Sequence, residues 1–358
     1  MTVRPVDLLG RPAAQSVRLI ALEFLDEAGR ALERLKDPED KEALHDFRVA
    51  LRRLRTTVRA YRPQLESSVP RRLRRKLRSV AEGTNSARDA EVALTWLRPL
   101  EAEVSKREHA GLRWLIERIE RGYGRDLPHA LGDARRSFVG VERKLRKGLE
   151  VYHRTVPVQR SKTEERFAAV ASTTLKDQAQ QLDLLLAAIA SRDDDAIHQS
   201  RIAAKRLRYT LEPLSAVVDG GAELVQRLKR LQDHLGELHD LSVLEEEVRL
   251  ALEAAAVARV GRIWELTLDD EPEPPAIRAA QRRRQNPGLF AVAQRSRARR
   301  EMLFRQLKAE WLEGAGPWAD VITRALGPLD THTGAAGTVR RSVLRPRAIP
   351  LRRRAPRA

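Results

Sequence analysis

The sequence contains no cysteine in 358 residues, which excludes a disulfide framework, a thiolate nucleophile and any thiolate metal site. Aromatic residues make up only 4%, too few rings to stack a run of unpaired bases. Long apolar runs are missing as well. The longest, residues 184–190, is far short of the roughly 20 residues a membrane span needs, and no secretory-type apolar stretch stands at the N-terminus. These absences lead to the expectation of a cytoplasmic protein with no membrane partner.

Positive charge is what the chain has in excess. Its 68 Lys and Arg outweigh 50 Asp and Glu for a formal charge of +18, which points to a polyanionic partner. Only 11 of the cations are lysine, and guanidinium suits bidentate phosphate recognition better than ammonium. An Arg- and Ala-rich proteome gives the same bias, so charge alone does not choose the partner.

Leucine, alanine, arginine and glutamate dominate, and apolar residues recur at three-four spacing, so the expected fold class is all-α. Candidate helices cover 14–35, 41–61, 70–82, 88–119, 128–152, 162–190, 194–211, 223–235, 238–266 and 289–312. From 331 onward the chain carries eight arginines and no carboxylate, the composition of a disordered basic tail. Such a tail can bind nucleic acid nonspecifically. Removing its charge leaves the body at +10, still basic.

The chain repeats itself. LHDFRVALRRLRTTVRAY from Leu44 matches IHQSRIAAKRLRYTLEPL from Ile197 without a gap. His45 pairs with His198, Arg48 with Arg201, Arg52 with Lys205, Arg53 with Arg206 and Arg55 with Arg208. Further on, the segment from Leu73 matches that from Leu224: Lys76 meets Arg227, Arg78 meets Lys229 and Asp89 meets Asp240. A repeat this long implies a duplicated domain, two pseudo-symmetric helical bundles over 13–154 and 160–326. At about 100° per residue, His45, Arg48, Arg52, Arg55 and Arg59 share one stripe of their helix, beside an apolar stripe of Phe47, Leu51, Leu54 and Val58. Cations that flank the core rather than oppose it can line a groove. A single arginine in such a place more often snorkels along apolar surface. Four cations kept in sign and spacing, with a histidine at their head, favour an anion site.

The pattern H-x-x-R-[VI]-x-x-[RK]-R-x-R, present twice and followed by a basic helix and an R-D or H-D step, resembles the CHAD family of histidine-containing α-helical domains. That resemblance implies two helical bundles with a basic surface that binds inorganic polyphosphate and can bring the protein to polyphosphate granules. Carried over position by position, it implies His45, Arg48, Arg52, Arg53 and Arg55 as ligand contacts in the first half. In the second half it implies His198, Arg201, Lys205, Arg206 and Arg208, with Lys76, Arg78, Arg227 and Lys229 in support. The E-x-E-x-K strand of the triphosphate-hydrolysing domain found in some relatives is missing from this sequence. No catalytic residue, metal or cofactor is expected.

Two rivals remain at this level. His45-Asp46 and His239-Asp240 supply adjacent ligand candidates for a metal-dependent phosphohydrolase, but neither dyad recurs in the other half. A nucleic-acid-binding protein would draw on the same charge. Trp96, Trp114, Trp264, Trp311 and Trp318 are spread over several helices and read as core anchors rather than a stacking platform. Histidines crowded by arginine resist protonation until a polyanion arrives, so tighter binding is expected as pH falls towards about 6.

Overall fold

The computed structural model describes residues 5–37, 39–40, 42–83, 85–154, 165–189, 193–268, 274–282, 285–314 and 316–331. The basic tail expected beyond residue 331 lies outside these. The protein is all-α. In chain order the helices are α1 (Pro5–Leu9), α2 (Ala13–Arg34), α3 (Ala43–Ala60), α4 (Arg62–Leu65), α5 (Arg71–Glu82), α6 (Asn85–Leu97) and α7 (Lys106–Arg154). They are followed by α8 (Phe167–Ala188), α9 (Asp194–Leu211), α10 (Gly221–Thr267), α11 (Pro274–Gln281), α12 (Asn286–Leu307), α13 (Trp318–Ala325) and α14 (Gly327–Thr331).

Two antiparallel hairpins, α2 with α3 and α8 with α9, meet where α3 packs on α9. Local chemistry sets their starts. The Asp40 carboxylate accepts the N–H groups of Glu42 and Ala43 ahead of α3, and Asp193 caps α9 through the N–H of Asp195; both satisfy donors that a helix start leaves open. The starts of α2 and α8 are tied side by side: Ala13 N–H donates to the Glu165 carbonyl at 3.0 Å, and Phe167 N–H to the Arg11 carbonyl at 2.9 Å. The apolar stripe foreseen on α3 is buried, with Phe47 edge-on to Phe138 of α7 at 5.2 Å. One hydrophobic cluster runs without interruption from Leu8 to Leu329.

Three helix boundaries differ from the periodicity reading. The helix expected over 88–119 is divided, because Pro99 ends α6 in a 3-10 turn (Arg98–Ala102); α7 restarts with the Glu108 carboxylate accepting Ser105 N–H. A new helix expected at 128 does not form, and α7 continues across that position for 49 residues. Packing along its length by α2, α5, α6 and α12 overrides the local breaker. The break expected between 235 and 238 is also absent. Leu235, Leu238, Leu241, Leu244 and Val248 form one buried stripe across Gly236, so α10 is a single helix of 47 residues. Where the second half has this one rod, the first has α5 and α6 as separate helices.

α12 ties α7 to α10. Where α12 crosses α7, Gly288 and Gly111 let the backbones touch: a Cβ on Gly288 would lie 2.2 Å from the Glu108 carbonyl oxygen. Backbone cannot yield as a side chain can. Gly288→Ala is therefore expected to destabilise the fold by about 2 kcal/mol through overpacking, read as a lower urea midpoint at unchanged slope.

Candidate functional site

Because the basic stripes of α3 and α9 lie beside their buried apolar stripes, packing α3 on α9 brings the two sets of cations to one edge of the contact. α6 and α10 close that edge. The result is a cleft of about 340 Å³ whose walls carry His45, Arg48 and Arg52 from α3, Arg88, Asp89 and Trp96 from α6, Arg201 and Lys205 from α9, and Gln232, Asp233, Glu237 and Asp240 from α10. Cations about 150 positions apart in sequence face the same space.

The cleft is rich in charge of both signs, with Arg48, Arg52, Arg88, Arg201 and Lys205 facing Asp89, Asp233, Glu237 and Asp240. Arg48 is buried, and its Nη1 lies 3.1 Å from Glu91 Oε2; the Tyr123 hydroxyl donates to the other oxygen of Glu91 at 2.9 Å. Burial holds the Arg48 pKa below its ordinary value, opposed by Glu91. Arg201 reaches Asp240 at 3.6 Å, while its Nε is buried without a hydrogen-bond partner among the described residues. Burial again depresses its pKa, and Asp240 opposes the shift. Lys205 is the extreme case. Burial, then Arg201 and Arg52, drive its pKa down to about 7, and Asp240 opposes the shift, because lost hydration and neighbouring cations both disfavour the ammonium form. Asp89 shifts upward through lost hydration and the nearby Asp240.

Of the fourteen expected contacts, the cleft gathers His45, Arg48, Arg52, Arg201 and Lys205. His198 does not line the cleft, and its ring is 4.6 Å from that of His239. Burial and then Arg201 lower both histidines, His239 to about 4. Arg55 and Arg206 do not line the cleft; burial, then Arg59 and Arg55, take Arg206 to about 10. Arg53 braces the fold between Glu27 at 3.3 Å and Glu212 at 3.1 Å. Arg208 pairs with Glu212 at 3.3 Å and lies over the Tyr209 ring. Arg227 covers Trp318 at 4.7 Å. Arg78 pairs with Glu82, and Lys76 and Lys229 are exposed away from the cleft.

Arg88, Glu91, Trp96, Gln232, Asp233 and Glu237 were not foreseen as site residues. The R-D and H-D steps at 88–89 and 239–240 were the sequence signal that could have found part of them. The tryptophans divide. Trp311 and Trp318 are buried and stacked at 6.2 Å, Trp114 and Trp96 pack partly buried against the core, Trp96 also lining the cleft, and Trp264, 64% exposed, is not a core anchor. Asp46 is held by Arg34 and Asp240 by Arg201. Among the described residues no three His, Asp or Glu side chains are placed to hold a metal ion.

The sequence profile of the CHAD domain matches residues 19–249. The chain belongs to the CHAD domain family. A solved structure agrees in fold: the crystal structure of the CHAD domain from the plant Ricinus communis superimposes with a TM-score of 0.56 at 19% identity, covering 91% of this chain and 94% of that one. No curated protein matches the sequence. The CHAD profile spans α3, α6 and α9 and the part of α10 that carries Gln232 to Leu244, so the whole cleft lies within the matched region. No described helix is long and apolar enough to cross a membrane.

Proposed function

We propose that this CHAD domain is a binding module, not an enzyme, and that its ligand is inorganic polyphosphate held in the cleft between α3 and α9. The observation that carries this reading is the convergence of Arg48, Arg52, Arg201 and Lys205 on one cavity, where burial and the neighbouring cations disfavour the Lys205 ammonium. A polyanion favours it. Polyphosphate presents a dense line of charge and no bases, and the cleft offers guanidinium groups with a single tryptophan at its wall; charge-assisted hydrogen bonds along such a line are individually modest and add up. Association with polyphosphate granules follows from the same affinity.

Competition tests the reading. The full chain, and a version ending at Thr331, are titrated with long-chain polyphosphate and challenged with duplex DNA at equal phosphate concentration in moderate salt. Polyphosphate binding that persists in both forms and resists the DNA is expected, with affinity falling steeply as salt rises. Equal competition by DNA, or loss of binding with the tail alone, would overturn it.

A further inference from the structure

The basic surface does not end at the cleft. α5 carries six cations in twelve residues, and on its outer side Arg71, Arg74, Arg75 and Arg78 join Arg62 to form a shallow groove of about 390 Å³ lined by arginine alone. Its internal counter-charge is small. Arg62 and Arg74 share Glu66, at 3.3 and 4.0 Å, Arg78 pairs with Glu82 at 2.6 Å, and among the described residues Arg71 and Arg75 have no carboxylate partner. No side chain caps the start of α5, so the open N–H groups of its first turn and the positive end of its dipole add to the field at one end of the groove.

Two observations set this groove apart from the cleft and yet join it to the cleft. It exists in one half of the repeat only: where the first half has Arg74 and Arg75, the second has Val225 and Gln226. A duplicated site would have kept both. It is also connected. α5 packs on α3, and Arg55 lies within electrostatic reach of Glu82 and Arg78 on α5 and of Arg59 and Arg52 on α3, the last in the cleft wall; Arg206 lies beside Arg59 and Arg55. From Arg52 to Arg59 is about 10 Å along α3, a gap already carpeted with guanidinium groups.

We propose that the arginine groove on α5 is a second phosphate-binding subsite, and that one polyphosphate chain runs from the cleft along α3 into it. This rests on the polyphosphate reading above and adds a selectivity to it. Chains long enough to reach both subsites gain the groove's contacts intramolecularly, at high effective concentration. Short oligophosphates occupy the cleft alone.

The test uses the full chain, its Arg71→Glu/Arg75→Glu variant and an Arg52→Gln/Lys205→Met variant, each titrated with long-chain polyphosphate, with tripolyphosphate and with duplex DNA over a range of salt. Arg71 and Arg75 are exposed, and the milder Arg71→Gln/Arg75→Gln pair repeats the measurement should charge reversal disturb the helix. The groove variant is expected to lose about tenfold in long-chain affinity, to lower the salt slope by about 1 to 2, and to bind tripolyphosphate as before. Unchanged long-chain binding in the groove variant, with binding lost in the cleft variant, would reject the subsite and leave the cleft reading intact. An equal loss for tripolyphosphate, or a loss confined to DNA, would also reject it. If the unaltered chain binds neither phosphate ligand, the functional reading itself fails.

Discussion

Arg52→Gln together with Lys205→Met should cost about a thousandfold in polyphosphate affinity, taking each lost charge-assisted contact at about 1.5 to 3 kcal/mol, and should at the same time raise the melting temperature of the free protein. The second half of this expectation separates a ligand site from architecture. A structural cation holds its own carboxylate, as Arg53 does with Glu27 and Glu212, and its removal destabilises. Lys205 instead sits among Arg201, Arg52 and Arg208, with Asp240 its opposing charge. The folded state suppresses its protonation. With the pKa at about 7 in the fold against an ordinary value of 10.5, the free protein binds fewer protons than the unfolded chain between these values, so stability rises with pH across that window. Below about 7 the penalty is fully present. The gain from Lys205→Met is therefore largest in neutral and acid buffer and fades as pH approaches the ordinary lysine value. Calorimetry of the variant beside a polyphosphate titration checks both halves; a lower melting temperature at pH 6 would mark Lys205 as a structural residue.

Which cations form the site, and which merely serve the fold, was only partly legible in the sequence. The all-α class and the positions of α2, α3, α8 and α9 follow from periodicity, which is a local property. The approach of Arg48 and Arg52 to Arg201 and Lys205 was implied by the repeat, since basic stripes that flank matching apolar stripes must meet when those stripes pack. Arg53, Arg208 and Arg227 carry the same sequence signal and lie elsewhere. Arg208 pairs locally with Glu212 four residues on, whereas Arg227 lies over Trp318 and Arg53 reaches Glu27 and, 159 positions away, Glu212. No pattern within a helix encodes such a contact. The boundary errors have the same origin: α7 crosses position 128 and α10 crosses Gly236 because neighbouring helices bury them on both sides of the breaker. Asp89 and Asp240 were aligned by the repeat, but that they meet across the cleft rather than point to solvent is a consequence of α6 packing on α10.

The structure offers Lys205 rather than the histidines as the group on which a pH dependence of binding would rest. That dependence was attached to His45 and His198, yet His45 is exposed at the cleft and His198 is turned towards His239. Lys205 is placed to do it. In the free protein its ammonium is opposed by burial, by Arg201 and Arg208 on its own helix and by Arg52 on α3, and favoured by Asp240 on α10. A polyphosphate chain in the cleft reverses the balance and raises the pKa, so binding takes up a proton wherever the free lysine is neutral. With a free value of about 7, affinity should be about thirtyfold higher at pH 6 than at pH 8.5 by proton linkage. Protonation of Asp89, whose pKa is already raised, acts in the same direction by removing a competing negative charge. So does protonation of His198 and His239, whose lowered values place their contribution at the acid end. Titration in two buffers of different ionisation enthalpy reads the proton uptake directly. Lys205→Met should abolish most of the dependence between pH 6 and 8.5, and an equally steep profile in that variant would move the proton to another group.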